Sequence, residues 1–255
     1  MLFRRIKKHV KEQDWFAVGI DFVIVVVGVF IGIQVANWNE SVNDRSRAEN
    51  YRDRLSQEMT INRGRLDSRL GSFASQIEYG LFAMDATSAP IDRDQAWEVI
   101  RAFFQSSHAF TISLQHGTYD EIMSSGDLAL LNDQDLVNAL AEFYTFAGYD
   151  TISVIPDFRE NVRRLVPFEL QRYLQSECYS VSDSDNHFLI DCPPPQSAEG
   201  LIQLATVLQT DKALKLDLQY MLSYVGVSSA IAENRVSKAE LVLSILGKAT
   251  EPDEE

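Results

Sequence analysis

The sequence predicts an all-α protein: a single transmembrane helix followed by an antiparallel bundle of long helices, with a small disulfide-closed insert. Three observations carry this expectation. One apolar run, "GIDFVIVVVGVFIGIQVANWNE" at 19–40, stands apart from an otherwise ordinary globular composition. Apolar residues recur at helical spacing over two long stretches, before residue 85 and after residue 211. The only two cysteines lie together in a polar insert that lacks any helical period, "ECYSVSDSDNHFLIDCPPP". With 255 residues and 45% apolar content, the chain is long enough for one core of good size.

The apolar run lies between Trp15 and Trp38, 23 residues apart. At 1.5 Å per residue they are separated by about 35 Å along a helix, enough to cross a hydrocarbon layer of roughly 30 Å. Each ring then falls at an interface, where amphipathic aromatics settle. Ahead of it Arg4, Arg5, Lys7, Lys8 and Lys11 place the N-terminus in the cytoplasm. Arg45, Arg47, Arg52 and Arg54 follow closely on the far side, so only the density of the basic residues favours this orientation. A cleavable signal peptide would share the basic start and the apolar stretch Phe22 to Ile33, but Gln34 spoils a small-x-small cleavage site ending at Ala36. The expected layout is a basic cytoplasmic tail at 1–14, a transmembrane anchor at 15–38, an extracytoplasmic α-helical domain at 39–248 and an acidic disordered tail at 249–255. The setting is the bacterial inner membrane, crossed once.

Beyond the anchor, Leu55, Met59, Asn62, Leu66, Leu70, Phe73, Ile77, Leu81 and Met84 step by three and four, which predicts one amphipathic helix over 41–85. Asp92 or Asp94 caps a second helix with Trp97, Ile100, Phe103 and Phe104 inward. The stretch "SSHAFTISLQHG" is ambiguous. A short helix then stops at Gly126, and another, capped by Asn132 or Asp133, carries Leu136, Leu140, Phe143 and Ala147. It is expected to continue through Ile152 and Ile155 toward Tyr173, bent at Pro156 and Pro167. Ser197 caps a helix of "AEGLIQLATVLQ", and Asp211 starts the last one. That helix sets Leu214, Leu218, Met221 or Leu222, Val225, Ser229, Ala232, Val236, Ala239, Leu243 and Leu246 inward.

Cys178 and Cys192 close a short loop in this reading, a disulfide worth on the order of 3 kcal/mol in an oxidising compartment; two unrelated thiols is the alternative. A disulfide tips the topology toward an extracytoplasmic C-terminal part.

Two stretches, "IDFVIVVVGVFIGIQVANWNE" and "TYDEIMSSGDLALLNDQDLVNALAEFYT", resemble a family of uncharacterised bacterial membrane-anchored proteins known as a domain of unknown function. Its span pattern is of the kind "GE(I)xLVxxGIxIALQINNWNE". Here Asp21 stands for the usual Glu, Ile20 for the preceding Gly and Gly32 for the usual Ala. The resemblance implies a single-span anchor with a helical extramembrane part, and implies no activity.

At 100° per residue, Val25, Gly28 and Gly32 lie within about 40° of Asp21, so all four share a face. A small-xxx-small pair admits a close helix neighbour, and an ionisable residue in hydrocarbon calls for a partner. Alternatively, Asp21 is an interfacial acid only about 9 Å from Trp15 along the axis, within reach of headgroup water. Asn37, Trp38, Asn39 and Glu40 form either a docking collar or an aromatic belt with a polar exit.

Signals for catalysis are sparse. His108 and His116 have neither metal-ligand spacing nor a nearby nucleophile in sequence, and no phosphate-binding or nucleophile-elbow motif is present. Asp183, Asp185, Asn186 and His187 hint at calcium but lack the glycine and closing glutamate of an EF-hand loop. No metal, cofactor or catalytic residue is expected. From Glu40 onward 34 acidic residues face 18 basic ones, a balance that repels nucleic acid and anionic headgroups.

The expectation is therefore a noncatalytic interaction or scaffold protein, an accessory subunit of an inner-membrane assembly or a homo-oligomer. Its partners are membrane lipid and proteins met through the span face, a second copy of the chain among them. A sensor or small-ligand-binding bundle is the alternative, and an envelope hydrolase a remote third.

Overall fold

A computed structural model describes residues 15–85, 92–109, 113–144, 156–181, 187–196 and 199–248, with backbone alone at 15–18, 181, 187–189 and 248. The chain divides into two units, residues 1–51 and 52–255. Among the described residues the fold is all-α, with one long apolar N-terminal helix, a helical bundle and a two-stranded hairpin beside a cysteine pair.

Helix α1 runs over Trp15–Asp85 and helix α2 over Arg93–Ser106. They are followed by α3 at Gly117–Ser125, a 3-10 turn at Asp127–Leu131 and α4 at Gln134–Tyr144. Next come α5 at Asp157–Leu165 and α6 at Phe168–Glu177. Strands β1 (Tyr179–Val181) and β2 (His187–Leu189) pair antiparallel, and helices α7 (Leu201–Thr210) and α8 (Lys212–Lys248) complete the chain.

Within the second unit, α1 and α8 run antiparallel. Arg63 meets Glu240, Gly80 meets Leu222, and Lys215 reaches the Met84 carbonyl, so the register descends on one helix as it climbs on the other. Both helices bury a strict four-three seam. On α8 it is Leu214, Leu218, Met221, Val225, Ser228, Ala232, Arg235, Ala239, Val242 and Leu246. On α1 it is Leu55, Met59, Asn62, Leu66, Arg69, Phe73, Gln76, Gly80 and Ala83. A seven-residue repeat keeps one stripe facing its partner where a 3.6-residue helix would drift away. Each fully buried Leu or Met contributes about 1.5–3 kcal/mol.

These seams correct the stripes expected from hydrophobicity alone. Leu70, Ile77 and Met84 are half-buried and Leu81 is 54% exposed, while their neighbours Arg69, Gln76, Gly80 and Ala83 face inward. On α8, Ser228, Arg235 and Val242 occupy the seam, with Ser229, Val236 and Leu243 on its flank. The seam takes polar side chains where they hold backbone, as the next section shows for Gln76, and a glycine where Leu222 approaches closely.

Other element ends follow their residues. Asp92 caps α2, its side chain accepting from Gln95 N. Gly126 (φ 76°) ends α3 in the left-handed region, and Asn132 (φ 47°) ends the 3-10 turn likewise. Asp133 accepts from Leu136 N at the head of α4, and Asp211 from Leu214 N at the head of α8. Pro156 and Pro167 each take the cap position ahead of a helix, with extended ψ of 143° and 145°, rather than lying inside a bent helix as expected. Helix α7 begins after Gly200, in a left-handed conformation, three residues beyond the expected Ser197 cap; Ser197 lies outside the described residues, as do Ala147, Ile152 and Ile155. The cysteine insert, read as irregular, holds the hairpin.

The core is aromatic at its centre. Trp97, Phe103, Phe104, Phe143 and Phe158 are fully buried, with Phe103 and Phe158 at 6.3 Å between ring centroids. Helix α2 packs chiefly on α7, and α4 and α5 on α8.

Candidate functional site

In the first unit an 18-residue window of α1 is apolar enough to cross a membrane, a candidate span with none of the window buried. Asp21, Val25, Gly28 and Gly32 lie on this segment, all exposed, and Asp21 has no hydrogen bond or ion pair among the described residues. A Cβ added at Gly28 or Gly32 would meet nothing within 4 Å. Among the described residues nothing is thus seated against the two glycines of the face predicted for helix pairing. Trp38 is 70% exposed; the side chain of Trp15 lies outside the described residues.

In the second unit, α1 carries a ladder of polar side chains that holds residues 106–108 and 113–131, met in the opposite order along it. Gln76 Nε2 donates to the carbonyls of Ser106 (2.8 Å) and His108 (2.7 Å). Arg65 donates to Ser113 O at 2.9 Å. Asn62 pairs with both main-chain groups of Gln115, donating to its carbonyl at 2.8 Å and accepting from its N–H at 2.7 Å. Buried Glu58 accepts from Thr118 N at 2.7 Å and from the Tyr144 hydroxyl. Arg54 pairs with Glu121, and Arg52 donates to Leu131 O.

The physical logic is one of satisfaction. Backbone that joins neither helix nor sheet keeps its polar groups unpaired, and leaving one buried costs about 1–3 kcal/mol. Glu58 supplies from another helix the N-terminal cap that His116 does not give α3. Tyr119 stacks on Tyr144 at 4.3 Å, tying the two ends of the "TYDE…EFYT" motif together. Burial, then the bond to Glu58, pushes the Tyr144 phenol far above its ordinary pKa. Arg54 holds the Glu121 carboxyl below its own.

A second cluster fixes the cysteine insert. Cys178 and Cys192 are at disulfide distance, with Cα atoms 5.2 Å apart. The run "CPPP" offers carbonyl acceptors, while its prolines lack N–H donors. Helix α2 presents donors at four-residue steps to match. Arg93 donates to Pro195 O, Trp97 Nε1 to Cys192 O at 2.7 Å and Arg101 to the same oxygen at 3.2 Å. Gln105 donates to Cys178 O at 2.6 Å. Tyr173 reaches Pro193 O at 2.9 Å and packs edge-on against Trp97.

Beside this clamp a cleft of about 440 Å³ opens among Glu78, Tyr79, Phe82, Glu98, Arg101 and Asp191. Asp191 accepts from the Tyr79 hydroxyl at 2.7 Å and pairs with Arg101 at 3.1 Å. Burial and then Asp191 raise the Tyr79 phenol above its ordinary pKa.

The histidines are not gathered. His108 is buried, bonded to Gln105 at 3.0 Å and stacked on Tyr179, whereas His116 is exposed beside Asp120. His187 lies on β2 with its side chain undescribed, and Asp183, Asp185 and Asn186 are outside the described residues. Among the described residues no group of three or more His, Cys, Asp or Glu could hold a metal ion. Sequence reasoning missed the α2 donors, although Arg93, Trp97, Arg101 and Gln105 at four-residue spacing before a proline run were a readable signal. No family model, curated protein or solved structure matches the chain.

Proposed function

We propose that the chain is a membrane-anchored, noncatalytic interaction protein, an accessory subunit of an inner-membrane assembly or a homo-oligomer, with its acidic helical unit in the periplasm. Membership in the family that its two motifs resemble is part of this reading. The observation that carries it is the face of Asp21, Val25, Gly28 and Gly32. Among the described residues nothing lies within 4 Å of a Cβ added at either glycine, and two glycines one turn apart let a second backbone approach closely. The helical unit supports it as well, since its buried polar side chains at Glu58, Asn62 and Gln76 are engaged in holding main chain. The test is the mass of the complex in mild detergent. Gly28→Leu with Gly32→Leu dissociates it, and a mass unchanged by the double substitution defeats span-mediated assembly.

A second reading, a small-ligand-binding bundle, has one observation in its favour, the cleft beside the cysteine insert. Native mass spectrometry of gently purified protein separates the two: a retained small molecule lost on Glu98→Gln favours the ligand reading, and a copurifying protein lost with the glycine substitutions favours the first.

A further inference from the structure

Arg163 stands in the last turn of α5 with all three side-chain nitrogens withdrawn from water and, among the described residues, without a hydrogen bond. Its guanidinium carbon lies 3.3 Å from the centroid of the Phe104 ring. A ring face attracts the cation but accepts none of the N–H groups at the guanidinium's edge, which ordinarily bind carboxylate or phosphate in pairs. The helix C-terminus beside it helps only weakly.

The surroundings add positive charge. Arg159, one turn earlier on the same helix, donates to Ser107 O at 3.2 Å, and buried Arg69 enters from α1. Both act on Tyr179, which stacks on His108, itself edge-on to Phe104 at 5.6 Å. Burial and then Arg159 push Arg163 down to about 9, still a cation at neutral pH. Of the acids near α5, Glu160 pairs with Arg164 on the exposed side, Asp217 accepts from Asn161 at 2.8 Å, and Asp157 is exposed at the other end of the helix. A domain this acidic does not gather anions by its overall field, so any that binds does so through local donors.

We infer that the guanidinium of Arg163, with Arg159 beside it, receives a small oxoanion of the phosphate, sulfate or carboxylate type. The planar fork matches two oxygens of such an ion.

The test is equilibrium dialysis of the full chain in detergent against radiolabelled phosphate, with sulfate and acetate as separate arms at constant ionic strength. The expected result is saturable uptake of at least one of the three by the wild type and by Arg164→Met, weakened about tenfold or more in Arg163→Met, which keeps an unbranched stem on Phe104. The bound anion also raises the melting temperature of the wild type and leaves that of Arg163→Met unmoved. Should Arg163→Met not fold, Arg163→Lys replaces it, retaining the charge and losing the fork, with the same weakening expected. Absence of saturable uptake of all three anions by the wild type, or equal uptake by the Arg163 variant, overturns the inference.

Discussion

Replacing Gly80 by Ala probes the closest approach between α1 and α8. A Cβ at Gly80 would lie 2.4 Å from Leu222 Cδ2, 3.1 Å from its Cγ and 3.3 Å from its Cδ1. Carbon atoms settle at about 3.5–4.0 Å, so the leucine has to withdraw by roughly 1 Å. Overpacking of this kind costs about 1–3 kcal/mol, against a gain of about 0.5–1 kcal/mol from giving a helix Ala in place of Gly. The net expectation is a loss of up to about 2.5 kcal/mol, centred near 1 kcal/mol. Gly71, exposed on the same helix with nothing within 4 Å, shows the gain alone when changed to Ala. Thermal unfolding of the full chain in detergent, followed by far-ultraviolet circular dichroism, reads the contrast at about 2–4 °C per kcal/mol. In a Leu222→Ala background the obstacle is gone and Gly80→Ala turns stabilising. The reasoning fails if Gly80→Ala raises the midpoint as much as Gly71→Ala, or if removing Leu222 leaves its effect unchanged.

Changing Cys178 and Cys192 to Ser opens a loop of 14 residues and is expected to cost about 3 kcal/mol, read as a lower denaturant midpoint; equal midpoints for variant and oxidised wild type would refute it. At alkaline pH the tyrosines set the direction. Tyr79, Tyr119, Tyr144, Tyr179 and Tyr224 all have phenols raised above the ordinary value of 10.0, chiefly by burial. Above that pH the unfolded chain releases protons the folded chain keeps, so stability falls as pH rises past 10.0. Arg163, depressed to about 9, and Arg159, also lowered by burial, act in the opposite sense, two groups against five. A spectrophotometric titration in which all tyrosines ionise together near their ordinary value would contradict this.

The two long helices were legible because their apolar residues recur at helical spacing, and the caps at Asp92, Asp133 and Asp211 because a short acceptor precedes each run. The true seams were harder to read. Hydrophobicity favours Leu70 over Arg69 and Ile77 over Gln76, yet Gln76 is inward because two carbonyls of an irregular connection need a donor there. That need is a property of a segment thirty residues away in sequence, invisible to any local pattern. Asn62 gave the same message within the expected stripe, since a lone amide among leucines marks a buried main-chain partner. The hairpin was missed for a related reason. Its strands are three residues each, too short for alternation to register, and the cysteine carbonyls are held by α2 rather than by a longer sheet.

The pairing of α1 with α8 joins the first of the described helices to the last, through contacts such as Arg63 with Glu240 at a separation of 177 residues. A ribosome adding about 5–20 residues per second leaves the inner stripe of α1 without its final cover for on the order of ten seconds. Loop closure over such a distance is slow and entropically costly, so folding of the helical unit waits on the synthesis of α8. In that interval Leu55, Met59, Leu66 and Phe73 present a sticky ridge to whatever else is nearby. The nascent protein therefore has its greatest need of a holdase in the interval before α8 is made.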